Sequence, residues 1–379
     1  MRILDRYILA MFIRNYAISF GVLIGLYIVM DMVFNFDEFV VTEQEAEGNP
    51  ILATLTAIGE YYFYQSFMIF GQLAGIIPVV AAAFTLLRLS RFNETVAVMA
   101  AGVPLLRLAA PIIVASVILN LVLLPVNQEL LIPQIRTELT RDRGKELVTG
   151  VTIEAMRVKD NDLLFAAEYR PATEQTPPTI LRLTVVERDE AGRRTAQVVA
   201  EEAVWNEAEA RWYLRDGLRI GAAGSPEQRQ LPETVLATYD GGTPEQIALF
   251  ESDQYVEFLS TARINEMLAA DLSYGAPALL REKHFRLSRL VLNIVLVLLA
   301  IPTVLVRDPG QLKSASFLCL GMVGGAMGTA FMGQIMAGTP PPSFLAGDFW
   351  QQSWPAVVSW MPIFLYGPVA VVMLDRVKS

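Results

Sequence analysis

The sequence predicts an α-helical membrane protein with six transmembrane helices, three before and three after one inserted all-β domain of the jelly-roll type. Two observations carry this prediction. Of the 379 residues 53% are hydrophobic, and the mean hydropathy of +0.41 is above that of an ordinary soluble protein. The charged residues are concentrated between Glu129 and Arg286, so apolar runs lie on both sides of a polar middle.

Six stretches have the roughly 20 mostly apolar residues that a helix needs to cross a bilayer. They cover residues 12–34, 62–87, 104–126, 287–306, 315–337 and 355–374. We expect the first to be a retained span and not a secretory signal, because its apolar stretch is too long and no small-residue cleavage pattern follows it. The implied domains are residues 1–126 with spans one to three, the insert at 127–286, and residues 287–379 with spans four to six.

Lysine and arginine in the short loops predict the orientation, because these residues are held back on the cytoplasmic side. Both termini and the second and fourth loops carry them, whereas the first and fifth loops have none. Both termini are therefore predicted to be cytoplasmic and the insert to lie outside. Four basic residues at the outer start of the fourth span go against this trend: Arg281, Lys283, Arg286 and Arg289.

These four residues are candidate contacts for anionic lipid head groups, although a long translocated domain can also override local charge. Asp31, near the outer end of the first span, is a further candidate for head-group contact. A carboxylate at that depth can also simply reach interfacial water. The central parts of the spans are otherwise almost free of charge, so no proton relay is predicted.

The insert changes from a helical to an extended pattern. Short runs rich in Val, Thr, Ile, Trp and Tyr alternate with turn-forming segments between residues 148 and 239. Many short strands with hairpin signals favour a small β-sandwich or jelly roll. Residues 127–145 are predicted to continue the third span as a helix, and residues 260–274 to form a helix that leads back to the bilayer.

Composition disfavours several classes of function. The net charge of −9 leaves no broad basic surface for nucleic acid. The only histidine, His284, and the only cysteine, Cys319, cannot supply a zinc cluster or an internal disulfide. The sequence has no Gly-x-x-x-x-Gly-Lys-Ser/Thr stretch, so it has no phosphate-binding loop of that kind. No catalytic, cofactor or metal site is therefore predicted in this chain.

The second loop predicts a short cytoplasmic helix over residues 90–101. Ser90 or Asn93 can cap it, Gly102 can end it with left-handed backbone, and Pro104 begins the next span. Its polar start holds Arg91 and Glu94, and its apolar stripe at helical spacing consists of Val96, Met99, Ala100 and Val103. Such a helix either docks in a partner's groove or lies on the lipid surface. The small number of basic residues favours docking.

Glycines four residues apart mark candidate helix contacts, because they let two helix backbones approach closely. Such pairs are Gly21 and Gly25 in the first span, Gly71 and Gly75 in the second, and in the fifth Gly321 with Gly325 and Gly324 with Gly328. The fifth span combines two overlapping pairs with Gly333. It is therefore the better candidate for a helix that packs against another subunit.

Four parts of the chain carry a family resemblance: Leu4–Ile8, Arg91–Gly102, Val204–Asn206 together with Arg211–Gly217, and Ala300–Pro302 ahead of Arg307. With the three-plus-three order of the spans, they resemble the LptF/LptG permeases. These permeases are the membrane subunits of the ATP-binding-cassette machine that extracts lipopolysaccharide from the bacterial inner membrane. The resemblance covers nearly the whole chain.

The resemblance implies an inner-membrane permease that pairs with a second permease of the family, or with a copy of itself, over two copies of a cytoplasmic ATPase that binds ATP and Mg. It implies that the helix at residues 91–101 couples to this ATPase, with Glu94 in contact. It also implies that the first and fifth spans form lateral gates, and that the periplasmic jelly roll passes lipopolysaccharide or a related lipid to a bridge protein of similar fold. The chain differs from LptG-type members at Asp31, where they carry a basic residue.

Two other functions are alternatives to the exporter. A non-transporting scaffold or mechanotransmission subunit would couple a cytoplasmic ATPase to a periplasmic partner. Such proteins usually have fewer spans and an outer domain after the first span, whereas here the insert follows the third. A membrane-embedded enzyme would need a nucleophile, metal cluster or base for which the sequence offers no credible candidate. The permease is therefore the leading hypothesis.

Overall fold

The computed structural model describes residues 3–39, 50–139, 151–158, 162–172, 176–189, 193–221, 233–244, 246–247, 255–269, 276–305, 312–339, 341–345 and 347–376. The chain divides into two compact units. The helical unit comprises Met1–Gly144, Phe258–Ala262 and Leu280–Ser379, and the β unit comprises Lys145–Glu257 and Arg263–Leu279. The apolar runs and the strand-rich insert of the sequence thus fall into different units.

The helices are, in chain order, α1 (Ile3–Asn35), α2 (Pro50–Leu73), α3 (Ile76–Arg91), α4 (Glu94–Ala100), α5 (Leu105–Pro125), α6 (Ile132–Gln134), α7 (Arg136–Leu139), α8 (Tyr255–Phe258), α9 (Thr261–Ala269), α10 (Ala276–Val304), α11 (Leu312–Ala337) and α12 (Asp348–Arg376). A π-helical segment, Val126–Leu131, joins α5 to α6. Within the described ranges, five helices are long and apolar enough to cross a membrane: α1, α5 with its continuation to Gln134, α10, α11 and α12. The sixth predicted span is present only as the bent pair of α2 and α3.

The second predicted span, residues 62–87, is not one straight helix. It breaks at Ala74 and Gly75, where the axes of α2 and α3 differ by 70°. Pro78 gives the physical reason, because in a continuous helix its ring would clash with the carbonyl of residue 74. In the first turn of α3 the missing N–H of Pro78 costs little. The hydropathy of the segment indicates a single span, and the structure corrects this to two helices.

Neighbouring side chains bond to backbone carbonyls beside this break. Asn127 Nδ2 donates to the carbonyl of Phe67 at 2.9 Å, and Arg289 Nη1 donates to the carbonyl of Gly71 at 3.3 Å. Gly71 lies in the last turn of α2, where carbonyls have no partner within the helix. At membrane depth an irregular backbone needs such partners from adjacent helices.

A buried amide pair holds α5, α10 and the break together. Asn293 Nδ2 donates to Asn120 Oδ1 at 2.9 Å, and Asn120 Nδ2 donates to the carbonyl of Leu290 at 2.9 Å. A Cβ atom added to Gly75 would lie 2.5 Å from Asn293 Oδ1, so only glycine fits there without a shift. Because unpaired polar groups are costly in an apolar interior, this pair favours one arrangement of the three elements.

The main apolar core of the helical unit is built from α1, α3, α5, α10, α11 and α12. Its fully buried members include Ile8, Phe12, Leu86, Ile112 and Ile301. Large parts of α1 and α11 remain apolar and exposed in the single chain. Examples are Val22, Leu26, Phe317 and Leu320. Such surfaces are those that face lipid or another membrane chain.

The β unit contains eight strands: β1 (Val151–Arg157), β2 (Leu163–Arg170), β3 (Thr179–Arg188), β4 (Arg194–Asn206), β5 (Arg211–Arg215), β6 (Leu218–Gly221), β7 (Glu233–Val235) and β8 (Thr238–Tyr239). All pairs are antiparallel, in the order β1-β2-β3-β4-β5-β8, with β6 between β4 and β7. The long β4 pairs with β3 on one edge and with β5 and β6 on the other. The strand-rich insert is confirmed. The described strands form one sheet, so the jelly roll stays a prediction.

The two halves of the family-like part of the insert, Val204–Asn206 and Arg211–Gly217, meet in the core of the β unit. Trp212 is fully buried, donates through Nε1 to the carbonyl of Gly242 at 2.8 Å, and packs edge-on to Trp205 with 5.1 Å between ring centroids. Gly242 has a φ of +66°, which glycine adopts without strain. The neighbouring Tyr213 is exposed, and its hydrogen bond to Glu209 raises the pKa of the phenol. The two tryptophans therefore stabilise this unit.

The connecting segments agree with the sequence pattern where they are described. Residues 126–134 continue the third span as a helix, as predicted, but the helix is interrupted at Ile135 before α7, and residues 140–145 lie outside the described ranges. Helix α9 covers residues 261–269 of the predicted helix at 260–274, and its remaining residues up to 274 also lie outside them. So do residues 148–150 of the first predicted strand, and Arg307.

Candidate functional site

Helix α4 is the predicted cytoplasmic helix, and it begins at Glu94. Asn93 precedes it with a left-handed φ of 58° and makes no capping hydrogen bond through its side chain. Ser90 Oγ instead lies 3.5 Å from Thr95 Oγ1. The predicted side-chain cap is therefore wrong, and Asn93 acts through its tolerance of left-handed backbone. Gly102, at φ +74°, ends the segment as predicted.

The two faces of α4 differ from the predicted stripe. Thr95 is buried, and Met99 and Val103 are half-buried and pack against the main core of the helical unit. The outward apolar side chains are Phe92, Val96, Ala97 and Ala100. Of the predicted stripe, Val96 and Ala100 thus face outward, while Met99 and Val103 face the core.

The start of α4 contacts the first turns of α1. Tyr7 Oη donates a hydrogen bond to Glu94 Oε1 at 3.2 Å. Two residues earlier in α1, Asp5 forms an ion pair with Arg107 of α5, with 3.7 Å between Oδ2 and Nη2. The structure thus brings together two family-like segments, Leu4–Ile8 and Arg91–Gly102. We call this region, with the loop around α4, the α4 end of the helical unit.

Basic side chains frame the outward face of α4. Arg91 is exposed, and the guanidinium of Arg88 lies 5.8 Å from the ring centroid of Phe92, close enough for a cation–π contact. Phe92 itself is 63% exposed. The α4 end therefore presents an aromatic ring, small apolar side chains and arginines on one surface.

Most of the candidate interface glycines have open space in front of them. A Cβ atom at Gly21, Gly25, Gly321, Gly324 or Gly328 would meet no atom within 4 Å. Gly325 differs, because its Cβ would lie 3.1 Å from the hydroxyl of Tyr366. The glycine pair of the second span packs inside this chain instead. The open glycines of α1 and α11 leave room for a further helix to approach closely.

The opposite end of the helical unit has a buried group of charged and polar side chains, which we call the Arg286 cluster. Arg286 is 4% exposed, donates through Nε to Glu282 Oε1 at 2.7 Å, and has Nη1 3.6 Å from Glu129 Oε1. The backbone N–H of Thr261 donates to Glu129 Oε2 at 2.7 Å, and its hydroxyl donates to Oε1. Removing Arg286 would leave the buried carboxylate of Glu282 without this cation.

Two of the candidate head-group residues make contacts inside the chain. Arg286 is enclosed in its cluster. The guanidinium of Arg289 lies 4.4 Å from the ring centroid of Phe285 and donates to the carbonyl of Gly71 at 3.3 Å. Both side chains therefore stabilise the helical unit, whatever else they contact.

The other three candidates are placed differently. Asp31 accepts hydrogen bonds from Tyr62 Oη at 2.8 Å and from Asn35 Nδ2 at 3.1 Å, so it joins α1 to α2. Arg281 and Lys283 are half-buried on α10. Contact with lipid head groups stays a prediction for all of these residues.

The patterns in the sequence did not single out Tyr7, Glu129 or Thr261. Glu129 offered a signal, since it is the only charged residue between Arg107 and Arg136. A lone carboxylate in such an apolar stretch is rare without a partner. Tyr7 lies in the family-like segment Leu4–Ile8, but neither Tyr7 nor Thr261 offered a signal for its contact, because the partners are distant in sequence.

The arrangement provides surfaces for docking and close packing. In the part of the chain that the structure describes, no group of three or more His, Cys, Asp or Glu side chains is placed to hold a metal ion. The exposed face of α4 and the open glycine faces of α1 and α11 are the features that the core of this chain does not use.

Comparison with known proteins gives one whole-chain result. The family described as "Lipopolysaccharide export system permease LptF/LptG" matches residues 6–376. This range includes α4, the Arg286 cluster and the β unit, and it covers the first turns of α1 from Arg6 onward. No curated protein matches the chain. Because the family match covers almost every residue, the resemblance seen in the sequence is confirmed, and the chain belongs to the LptF/LptG family of lipopolysaccharide export permeases.

Proposed function

We propose that this chain is a permease subunit of an ATP-binding-cassette exporter that withdraws lipopolysaccharide from the inner membrane and passes it to a periplasmic bridge protein. Membership of the family establishes the coarser role, a membrane-embedded component of lipopolysaccharide export that is not itself an enzyme. Docking of an ATPase at α4, pairing with a second permease and delivery through the β unit are the finer parts of the proposal.

The observation that carries the proposal is the outward face of α4. Val96 is 42% exposed on α4, whose other face packs against the core, and Phe92, two residues before this helix, is 63% exposed. An apolar helix face of this kind fits a groove in a partner protein. Arg91 and Glu94 flank the face and can set its register by charge. The proposed occupant is a cytoplasmic ATPase, in two copies per permease pair, which binds the ATP and Mg.

Charge supports a cytoplasmic position for the α4 end. Its loop and the first turns of α1 carry arginines, as the short cytoplasmic loops of membrane proteins do. The residues are Arg6, Arg88, Arg91 and Arg107. The β unit, which lies between the third and fourth spans in sequence, is then periplasmic, where it can meet a bridge protein.

The poorly buried spans support pairing with a second permease, either a relative or another copy of this chain. In the most apolar stretch of each helix, 11% of the residues are buried within this chain in α1, 22% in α11 and 22% in α12, against 61% in α10. Among these three poorly buried helices, α1 and α11 are the ones with open glycines spaced four residues apart. We therefore assign the permease interface and the lateral gates to α1 and α11.

The energetics explain why an ATPase is needed. Each methylene buried in the bilayer contributes about 0.8 kcal/mol, so withdrawing several acyl chains at once costs tens of kcal/mol. A cavity between two permeases can receive the chains without exposing them to water. Collapse of this cavity, driven by the ATPase, then moves the lipid to the β unit. The chain supplies the cavity wall and the lever.

Reversing the charge at the start of α4 tests the docking step. We expect Glu94→Arg to prevent binding of the ATPase, because it adds a cation to a surface already framed by Arg88 and Arg91. The measurement is the share of ATPase that co-purifies with the permease from native membranes. Glu207→Arg, at an exposed position of the β unit, is the matched control and should retain the full share. An undiminished share with Glu94→Arg contradicts the proposed docking.

Lipid contact separates the exporter from a scaffold that only relays ATPase strokes. A photoreactive residue at Val22 or Leu320, which are 60% and 70% exposed on α1 and α11, should crosslink lipopolysaccharide to an extent that changes with ATP. The same residue at Val371, 64% exposed on α12, reports ordinary contact with the bilayer. Signals at all three positions that do not respond to ATP favour the scaffold.

A further inference from the structure

We propose that Tyr7 is a positioning residue that holds Glu94 and ties α4 to the first span, so that a displacement of α4 is passed directly to α1. This inference rests on the proposed docking of an ATPase at α4. It adds a second element to the coupling apparatus, the N-terminal turns of α1. Three independent contacts support it.

The first contact is the hydrogen bond from Tyr7 Oη to Glu94 Oε1, at 3.2 Å. Glu94 is the first residue of α4, so the bond fixes the helix at its start. Hydrogen bonds to a carboxylate are stronger than those between neutral groups. Glu94 makes no other hydrogen bond or ion pair with the described residues, so its second oxygen stays available to a cationic group of a partner.

The second contact is the ion pair between Asp5 and Arg107, at 3.7 Å. Arg107 is the third residue of α5, just beyond the loop that carries α4. Asp5 and Tyr7 are two residues apart on α1. The first turns of α1 therefore contact the start of α4 through Tyr7 and the start of α5 through Asp5. The loop that carries α4 is thus fixed to α1 at both of its ends.

The third contact is apolar. Leu4 and Ile8, on either side of Asp5 and Tyr7, belong to the same core as Val98 and Met99 of α4. Ile8 is fully buried. Because Met99 points inward, α4 packs on the same apolar core as the N-terminal turns of α1.

The placement of α1 makes it suited to receive a displacement. Only 11% of the residues in its most apolar stretch are buried within this chain, the lowest share among the five candidate spans of the described residues. Most of its surface is therefore not covered by its own chain, although one side of α1 packs against α3 and α5. Gly21 and Gly25 lie further along the same helix, so a shift that starts at Tyr7 reaches the proposed permease interface.

The test removes only the hydroxyl, with Tyr7→Phe. In proteoliposomes that contain the permease, its ATPase and lipopolysaccharide, we expect the lipid released per ATP hydrolysed to fall about threefold to tenfold, the size of one ordinary hydrogen bond, because the bond from Tyr7 to Glu94 is exposed to solvent. A merely structural role would lower the amount of folded protein but not this ratio. Tyr16→Phe, at a ring that packs against Phe12 on the same helix, is the matched control. An unchanged ratio in Tyr7→Phe overturns the inference.

A double-mutant cycle separates this inference from the proposed function. Affinity for the purified ATPase is measured for Tyr7→Phe, Glu94→Ala and the double variant. If Tyr7 acts through Glu94, the double variant binds no more weakly than Glu94→Ala alone. Additive losses mean that the two residues act independently, which overturns the role of Tyr7 and leaves docking at α4 intact. Wild-type affinity in Glu94→Ala together with full ATPase binding in Glu94→Arg overturns the proposed docking itself.

Discussion

The two ends of the helical unit use polar contacts in opposite ways. At the α4 end, the side chains of Asp5 and Arg107 are 19% and 34% exposed, and Asp5 Oδ2 lies 3.7 Å from Arg107 Nη2. In the Arg286 cluster, the side chains of Arg286 and Glu282 are 5% and 9% exposed, and Arg286 Nε lies 2.7 Å from Glu282 Oε1. Exposed pairs contribute about 0–1 kcal/mol, whereas breaking a buried pair costs about 3–5 kcal/mol. One end is therefore easy to rearrange, and the other is firmly held.

The largest effect is expected where the buried cluster is broken. Arg286→Ala leaves Glu282 and Glu129 without their cation and should lower the free energy of unfolding by about 3–5 kcal/mol. Thermal unfolding of the detergent-solubilised permease measures this as a clear fall in midpoint. Lys283→Ala, three residues earlier on the same helix and outside the cluster, should change it by less than about 1 kcal/mol. Equal unfolding midpoints for the two variants would mean that the Arg286 cluster is not more firmly held than the rest of the helical unit.

Two glycines test the same contrast between a packed and an open site. Gly75→Ala places a Cβ atom 2.5 Å from Asn293 Oδ1 and should cost about 1–3 kcal/mol through displacement of the buried amide pair. Gly324→Ala meets no atom within 4 Å, so the single chain should be as stable as before or slightly more stable. Thermal unfolding of the solubilised single permease measures both.

A larger side chain at the open site should act on assembly instead. Gly324→Leu is expected to disturb permease pairing by steric clash, seen as weaker intermolecular crosslinking along α11. Pairing that is unaltered in this variant argues against α11 as the interface.

The smallest effect is expected at the α4 end. Asp5→Asn removes one charge of a partly exposed pair and should change the free energy of unfolding by less than about 1 kcal/mol. The change should fade as salt is raised, because such charges are screened. Unfolding midpoints at low and high salt provide the measurement. A loss as large as that of Arg286→Ala would mean that the α4 end is as firmly held as the other.

The spans were predictable because a long apolar run is an unambiguous signal. The run at residues 315–337 corresponds to α11, Leu312–Ala337, and the run at 104–126 to α5, Leu105–Pro125. The break in the second span escaped this reasoning, since hydropathy does not change at Ala74 and Gly75. Gly75 and Pro78 were the signal for the break, because the ring of a proline clashes with the carbonyl four residues earlier in a continuous helix.

The candidate site was predictable only where it is local. The position of α4 follows from spacing and from Gly102 within a short segment. Helical spacing also groups Met99 with Val103, but it cannot tell which face meets the core. Contacts between distant segments cannot be read from one sequence: Tyr7 and Glu94 are 87 residues apart, and Glu129 and Thr261 are 132 apart.

The bend between α2 and α3 also affects the surrounding lipid. With 16 residues, α3 is about 24 Å long, shorter than the roughly 30 Å of a bilayer's hydrocarbon layer. Because the two axes differ by 70°, both helices cannot stand upright in the membrane. The hydrophobic thickness of the protein is therefore reduced beside these two helices, and a bilayer relieves such a mismatch by local thinning. We therefore expect the bilayer to be thinner beside α2 and α3 than beside the five long spans.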